Sequence, residues 1–167
     1  MGHLEHKKKA PKSVRCAVIT VSDSRTRDRD DSGKLIVRLL EENSHEVVHY
    51  SLVKDEESRI RTEVERLREA GKAQVVIING GTGISSRDRT PEAIEPMMDR
   101  RISGFGELFR SLSFSDIGSS ALLSRASAGV IGGMIAFLLP GSPGAVELAM
   151  NRLILPEISH LIFEVKR

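Results

Sequence analysis

The chain has 167 residues, enough for one domain with a full core, and its 40% apolar and 29% charged residues fit a globular protein, not a disordered or fibrous one. The net charge is +2, with much of the basic excess on Lys7, Lys8, Lys9 and Lys12, and the only aromatics are 5 Phe and 1 Tyr, so neither the charge footprint nor the stacking platforms of a nucleic-acid binder are present. No stretch reaches the ~18 consecutive apolar residues of a membrane span, so no membrane association is expected.

Residues 1–12 read as a flexible basic arm that lacks the apolar h-region of a signal peptide, and a single domain is expected over residues 13–167. Residues 14–21 are an apolar run and read as a strand, with Cys16 as a core side chain and not a nucleophile. Cys16 is the one cysteine, which leaves no internal disulfide and suits a reducing compartment; a cytoplasmic location is expected. A polar loop rich in Asp and Arg covers residues 22–32. A helix is predicted over residues 33–42, with Leu35, Ile36, Leu39 and Leu40 on one face and Asn43-Ser44 ending it.

Residues 46–53 are β-rich. The run His45-Glu46-Val47-Val48-His49 spells the zincin pattern, which works only on a helix, where both imidazoles share one face. Here a helix breaker precedes it and β-branched residues fill it. On a strand the two imidazoles would stand roughly 13 Å apart, at ~3.3 Å per residue, so the metalloprotease reading is rejected. Asp55 follows this second strand. A charged helix is predicted from about Glu57, with Ile60, Val64 and Leu67 at helical spacing and Gly71 as its C-cap.

The strand of residues 75–78 then runs into Gly80-Gly81-Thr82-Gly83. This is not a dinucleotide fingerprint, because Ser86 stands where the third glycine belongs and the turn follows the third strand. Nor is it a P-loop, which needs Lys-Ser/Thr at a fixed spacing. One glycine would satisfy a tight turn; three around a threonine let a ligand approach the backbone N–H groups. Thr90-Pro91 reads as the N-cap and first position of the next helix. With Thr90 filling the cap, Asp88 is free to serve as an Mg2+ ligand beside a phosphate-binding turn.

Residues 103–124 are rich in Ser and Gly and helical in parts, and they carry more apolar groups than one small sheet face needs. Val130-Ile131-Gly132-Gly133-Met134-Ile135 reads as a hairpin. Leu138-Leu139-Pro140-Gly141-Ser142-Pro143 reads as strand, turn and helix start, with Ser142 as N-cap and Pro143 at the first helical position. Val146, Ala149, Met150 and Leu153 form a helical face, and a last helix is expected from Pro156. The alternation of β and α predicts a three-layer α/β/α fold with a mostly parallel sheet and a small β-hairpin. The loops of residues 22–33, 80–90 and 140–143 should share one sheet edge, where such folds bind ligands.

Together, Thr20-Val21-Ser22-Asp23, Asp31-Ser32-Gly33, the block over residues 80–93, Gly104-Phe105-Gly106-Glu107, Leu123-Ser124-Arg125 and Pro140-Gly141-Ser142-Pro143 resemble the MoaB/MogA family of molybdenum cofactor biosynthesis, which includes the G domains of gephyrin and its plant counterpart. The likeness covers nearly the whole chain and is nearest the MoaB branch. It implies a molybdopterin-binding fold and an adenylyltransferase that joins AMP from Mg-ATP to molybdopterin. By the resemblance, Asp55 and Asp88 are the catalytic, Mg2+-holding pair. The cofactor-binding set is Ser22, Asp31, Ser32, Gly33, Gly80, Gly81, Thr82, Gly83, Thr90, Pro140, Gly141 and Ser142. It further implies a homotrimer or homohexamer, and the downstream molybdenum-insertion protein as a partner. The alternative is a non-catalytic molybdopterin carrier with the same pocket.

Overall fold

A computed structural model describes residues 10–167, so most of the arm expected over residues 1–12 lies outside the described residues. Strand β1 (Arg15–Val21) sends Cys16 and Val18 to one face of the sheet and Ala17 and Ile19 to the other, and all four are fully buried. Both faces are covered, which is why the strand reads as a continuous apolar run without alternation. The same holds for β3 (Val75–Asn79) and β6 (Met134–Leu139), buried along their whole length.

With β2 (Glu46–Val53), β4 (Arg100–Arg101) and β5 (Ser127–Ile131), these strands make one six-stranded sheet in the order β2-β1-β3-β6-β5-β4. Strands β2, β1, β3 and β6 are mutually parallel, and β5 runs antiparallel to both β6 and β4. The predicted hairpin joins β5 to β6 through Gly132 and Gly133, at φ +53° and +85°. Two successive positive φ values are what a two-residue hairpin turn requires.

Helices α1 (Asp31–Glu42), α4 (Ser103–Ile117), α5 (Pro143–Ala149) and α6 (Leu155–Val165) cover one face, closing a core around Ile36, Leu40, Phe109, Phe137 and Ile158. The other face is covered by α2 (Glu57–Ala70) and the short α3 (Thr90–Ile94), through Ile60, Val64, Leu67 and Ile94. This is the expected three-layer arrangement. Each fully buried Ile, Leu or Phe contributes about 1.5–3 kcal/mol, whereas exposed pairs such as Arg38–Glu42 contribute about 0.2–1 kcal/mol, so the two cores set the stability.

Two local features differ from expectation. Helix α1 begins at Asp31, not Gly33, because the Asp30 carboxylate caps it, accepting from the Gly33 N–H at 3.0 Å. The two C-terminal helices are one continuous run. A π-turn (Met150–Ile154) joins them, with the Leu155 N–H donating to the Met150 carbonyl. Pro156 has no N–H and its ring crowds the carbonyl four residues back; the wider turn just before it lets the ladder resume without a break.

Candidate active site at the sheet edge

Asn79, the last residue of β3, stands level with Thr20 of β1 and Leu139 of β6. The loops that follow these three strands therefore leave the sheet side by side, as the topology predicted. They surround a cavity of about 360 Å3 lined by Ser22, Asp23, Arg25, Asp55, residues 80–83, Asp88, Pro140 and Gly141.

The glycine turn forms the floor. Gly80 (φ +100°) and Gly81 (φ +67°) have backbones that side chains resist, and a Cβ at Gly80 would sit 2.2 Å from the Val21 carbonyl oxygen. Four successive carbonyls are paired inward. Gly80 accepts from the Thr90 hydroxyl at 2.8 Å and Gly81 from the Thr90 N–H at 3.0 Å. Thr82 accepts from the Arg125 N–H at 2.9 Å and Gly83 from Arg125 Nε at 2.8 Å. Among the described residues, no hydrogen bond uses the N–H groups of Gly81, Thr82 or Gly83. The Thr82 hydroxyl, 2% exposed, also lacks a partner. A turn with its carbonyls spent and its N–H groups free is a nest for an anion.

Thr90 does not cap α3, contrary to expectation: it is the first helical residue after Arg89, and its hydroxyl ties down the glycine turn. Asp88 is held by its own loop, with Oδ2 accepting from the Ser85 N–H at 2.8 Å. Asp55 is 9% exposed, and its Oδ1 accepts from the Arg89 N–H at 2.9 Å. Burial pushes the Asp55 carboxyl above the usual carboxylate range. The Arg89 N–H opposes this, and repulsion from Asp88 and Asp23 adds to it. The expected acidic pair thus shares one cavity with a third carboxylate.

That third carboxylate, Asp23, was not among the expected site residues. It accepts from the Asp55 N–H at 3.1 Å and pairs with Arg87, Nη2 lying at 2.5 Å. The Arg87 hydrogen bond holds Asp23 below the usual carboxylate range. Its place two residues past the end of β1, on the edge that carries the glycine turn, was the signal that could have found it. Arg25 was missed for the same reason; its guanidinium donates to the Gly141 carbonyl at 2.9 Å.

The remaining predicted residues play varied parts. Ser22 lines the cavity, its Oγ accepting from the Arg25 N–H at 3.1 Å. Pro140 and Gly141 also line the cavity. Asp31 is exposed at the start of α1 and does not line the cavity. Ser32 is buried and supports the wall, donating to the Gly141 carbonyl at 2.7 Å. Gly33 is small because of packing: a Cβ there would stand 2.1 Å from Asp30 Oδ2. Ser142 caps α5 and borders an adjacent cavity of about 210 Å3 that it shares with Thr82. Arg125 is a strap, holding Gly83 and the Asp88 carbonyl and pairing with Glu92.

The rejected zincin motif is confirmed as a sheet feature. His45 accepts from the Val14 N–H at 3.2 Å, while His49 on β2 contacts Glu63 at 2.7 Å. No trio of His, Cys, Asp or Glu among the described residues is arranged to hold a metal by itself. Mg2+ needs less, since it commonly takes one or two carboxylates and completes its shell with substrate phosphate and water. Asp55, buried and repelled by two neighbouring carboxylates, fits that role chemically.

The family described as "Probable molybdopterin binding domain" matches residues 17–160. Molybdenum cofactor biosynthesis protein B of Bacillus cereus is 52% identical over 168 residues, covering 100% of this chain and 99% of its own. Its counterpart in Bacillus subtilis is 50% identical over the same span. A crystal structure of a molybdenum cofactor biosynthesis protein B superposes with a TM-score of 0.91 at 52% identity, covering 95% of this chain and 99% of that one. The tungsten cofactor synthesizing protein MoaB of Pyrococcus furiosus does so with a TM-score of 0.83 at 36% identity, covering 95% and 100%. The sheet edge, its glycine turn and these likenesses agree: the chain belongs to the MoaB/MogA family of molybdenum cofactor biosynthesis proteins.

Proposed function

We propose that the protein adenylylates molybdopterin with Mg-ATP. In this reaction a phosphate oxygen of molybdopterin attacks the α-phosphorus of ATP, a new P–O bond forms, and pyrophosphate leaves with the electrons of the broken one. Nucleotidyl transfer needs alignment and charge neutralisation more than covalent help from the protein. The observation that carries the reading is the run of free N–H groups at Gly81, Thr82 and Gly83 beside the buried carboxylate of Asp55. Those groups would bind phosphate oxygen, and the Pro140-Gly141 wall, pinned by Ser32 and Arg25, would bound the pocket.

Asp55 and Asp88 would hold Mg2+, which supplies positive charge against the developing negative charge on phosphate. Asp23 would position Asp55 by taking its N–H, and it pairs with Arg87. On this reading the protein is a cytoplasmic enzyme that hands adenylylated molybdopterin to a molybdenum-insertion protein. The test is direct: purified protein, molybdopterin, ATP and Mg2+ yield the adenylylated product and pyrophosphate. Protein that binds molybdopterin but forms no product under these conditions is a carrier.

A further inference from the structure

A second cavity, of about 550 Å3, opens beside the first and shares Ser22 and Arg25 with it. Three separate segments converge on it: the loop after β1, the end of the edge strand β2 at residues 52–54, and one face of α2. On α2, Arg59, Glu63 and Arg66 recur at the spacing that puts side chains on one helical face. The cavity is thereby lined by four cations, Arg25, Lys54, Arg59 and Arg66, against one carboxylate.

That carboxylate is already committed. Glu63 accepts from Ser51 Oγ at 2.7 Å and contacts His49 Nε2 at 2.7 Å. The cations are less so, Arg25 excepted: its guanidinium stands 3.7 Å from the buried Asp30 carboxylate and also donates to the Gly141 carbonyl. The Lys54 ammonium donates to the Asp23 main-chain carbonyl at 2.6 Å, and its charge helps hold the Asp23 carboxyl below the usual range. Arg66 forms no ion pair among the described residues, although its charge helps hold the Glu63 carboxyl below the usual range. Arg59 meets Glu56 at 2.8 Å, but both side chains are about half exposed or more, where such a pair is worth little. A charged helix ordinarily shows cations to solvent, and Arg61 is of that kind, paired with Glu57 one turn back. The four cavity cations differ because they come from three segments and face one concavity. Ser22, Ser58 and Thr62 add hydroxyl donors to its wall.

We propose that this cavity binds a chain of linked phosphates, as the terminal phosphates of a nucleoside triphosphate or as free pyrophosphate. Its four cations come from three segments, and it shares Ser22 and Arg25 with the cavity that holds the glycine turn, so a triphosphate could extend from one cavity into the other. The position of the α-phosphate rests on the adenylylation reading; the polyanion site does not.

Calorimetric titration of the full chain without molybdopterin tests it, with tripolyphosphate, pyrophosphate, ATP and AMP as probes. Tripolyphosphate and ATP should bind, with affinities that fall as salt rises. The double variant Arg59→Ala/Arg66→Ala should weaken tripolyphosphate at least about tenfold and leave AMP unchanged, since each lost charge-assisted contact is worth about that much. Arg59→Lys/Arg66→Lys should restore much of the loss, and an unchanged melting temperature excludes misfolding. If AMP binds as tightly as ATP only because it too enters this cavity, the double variant weakens AMP equally and the linked-phosphate assignment is wrong. Tripolyphosphate that fails to bind, or that binds the double variant as well as the wild type, overturns the site. Intact binding without AMP transfer would sink the adenylylation reading alone, and transfer with no tripolyphosphate binding would sink this proposal alone.

Discussion

The loop of residues 80–90 and the segment from Ser103 to Leu123 are both rich in Gly and Ser, yet they spend their side chains in opposite ways. In the loop, Thr90, Arg125 and Asp88 tie the backbone down and leave a short run of N–H groups without partners, while residues 84–87 are exposed. In the segment, Phe105 and Phe109 reach the core, and Phe105 meets Phe137 edge-on at 5.1 Å. Several apolar groups instead turn outward: Leu108, Phe114, Ile117, Leu122 and Leu123 are each more than half exposed, Leu122 by 82%, while Ala121 is buried. A rigid polar loop with spare donors suits a small anion. Large apolar side chains that the monomer leaves exposed along one segment suit another protein surface. Composition alone therefore does not separate a ligand site from an interface; the direction in which each group is spent does.

The largest expected effect lies at the loop's acidic neighbour. Asp55→Asn and Asp88→Asn should each lower AMP transfer on the order of a hundred- to a thousandfold, because a group stabilising developing charge is lost. Asp55→Asn should also stabilise the fold. The folded protein holds the Asp55 carboxyl above its ordinary range, so its contribution to stability is present below that range and is lost as pH rises through the folded value. At neutral pH the charged form is therefore a burden that asparagine removes, while its side-chain oxygen can still accept from Arg89. Turnover measured beside thermal melting checks both effects; near wild-type turnover, or a lower melting temperature, would contradict the account.

Next in size is Gly80→Ala. The new Cβ would meet the Val21 carbonyl at 2.2 Å, and φ +100° resists any side chain. Left-handed strain and overpacking together should cost roughly 3 kcal/mol, read as a shift of the urea midpoint. A loss under about 1 kcal/mol would mean the loop yields, and its stiffness would no longer distinguish it from the apolar segment.

The strands, the hairpin and the Ser142 cap were legible because each rests on neighbours in sequence: apolar runs, Gly132-Gly133, and a serine three residues before the N–H it accepts from. The shared sheet edge followed from the order of elements. Thr90 was misread because its partner, the Gly80 carbonyl, lies across the turn, and a Thr-Pro pair looks the same whether the hydroxyl caps a helix or braces a loop. Asp23 and Arg125 were beyond local reading for a related reason. Asp23 meets Asp55 across 32 residues and Arg125 meets Gly83 across 42, contacts that exist only once the sheet has brought the loops together. The join at Met150–Ile154 escaped because a proline normally marks a helix boundary, and only a π-turn lets it pass.

The apolar segment gives the third test. Light scattering of the wild-type chain should return a mass near three or six times the 18.4 kDa of one chain. Phe114→Glu combined with Leu122→Glu should bring it to one chain while the circular dichroism stays the same, because both side chains are exposed in the monomer. A wild-type mass of 18.4 kDa would leave those groups bare in solution and remove the interface reading.

The smallest effect sharpens the meaning of a glycine. Gly71 has φ +63°, close to that of Gly81, and its N–H closes α2 by donating to the Leu67 and Arg68 carbonyls. Unlike Gly80, it has nothing within 4 Å of where a Cβ would stand. Alanine there keeps the capping N–H and meets open space, so only the left-handed backbone strain remains, about 1 kcal/mol. The gap between Gly71→Ala and Gly80→Ala, read from urea midpoints of the two variants, isolates what close packing against Val21 adds to a conformational preference both glycines share. Equal losses would show that the Val21 carbonyl moves aside at little cost, and that the site floor is held by backbone preference instead of by its walls.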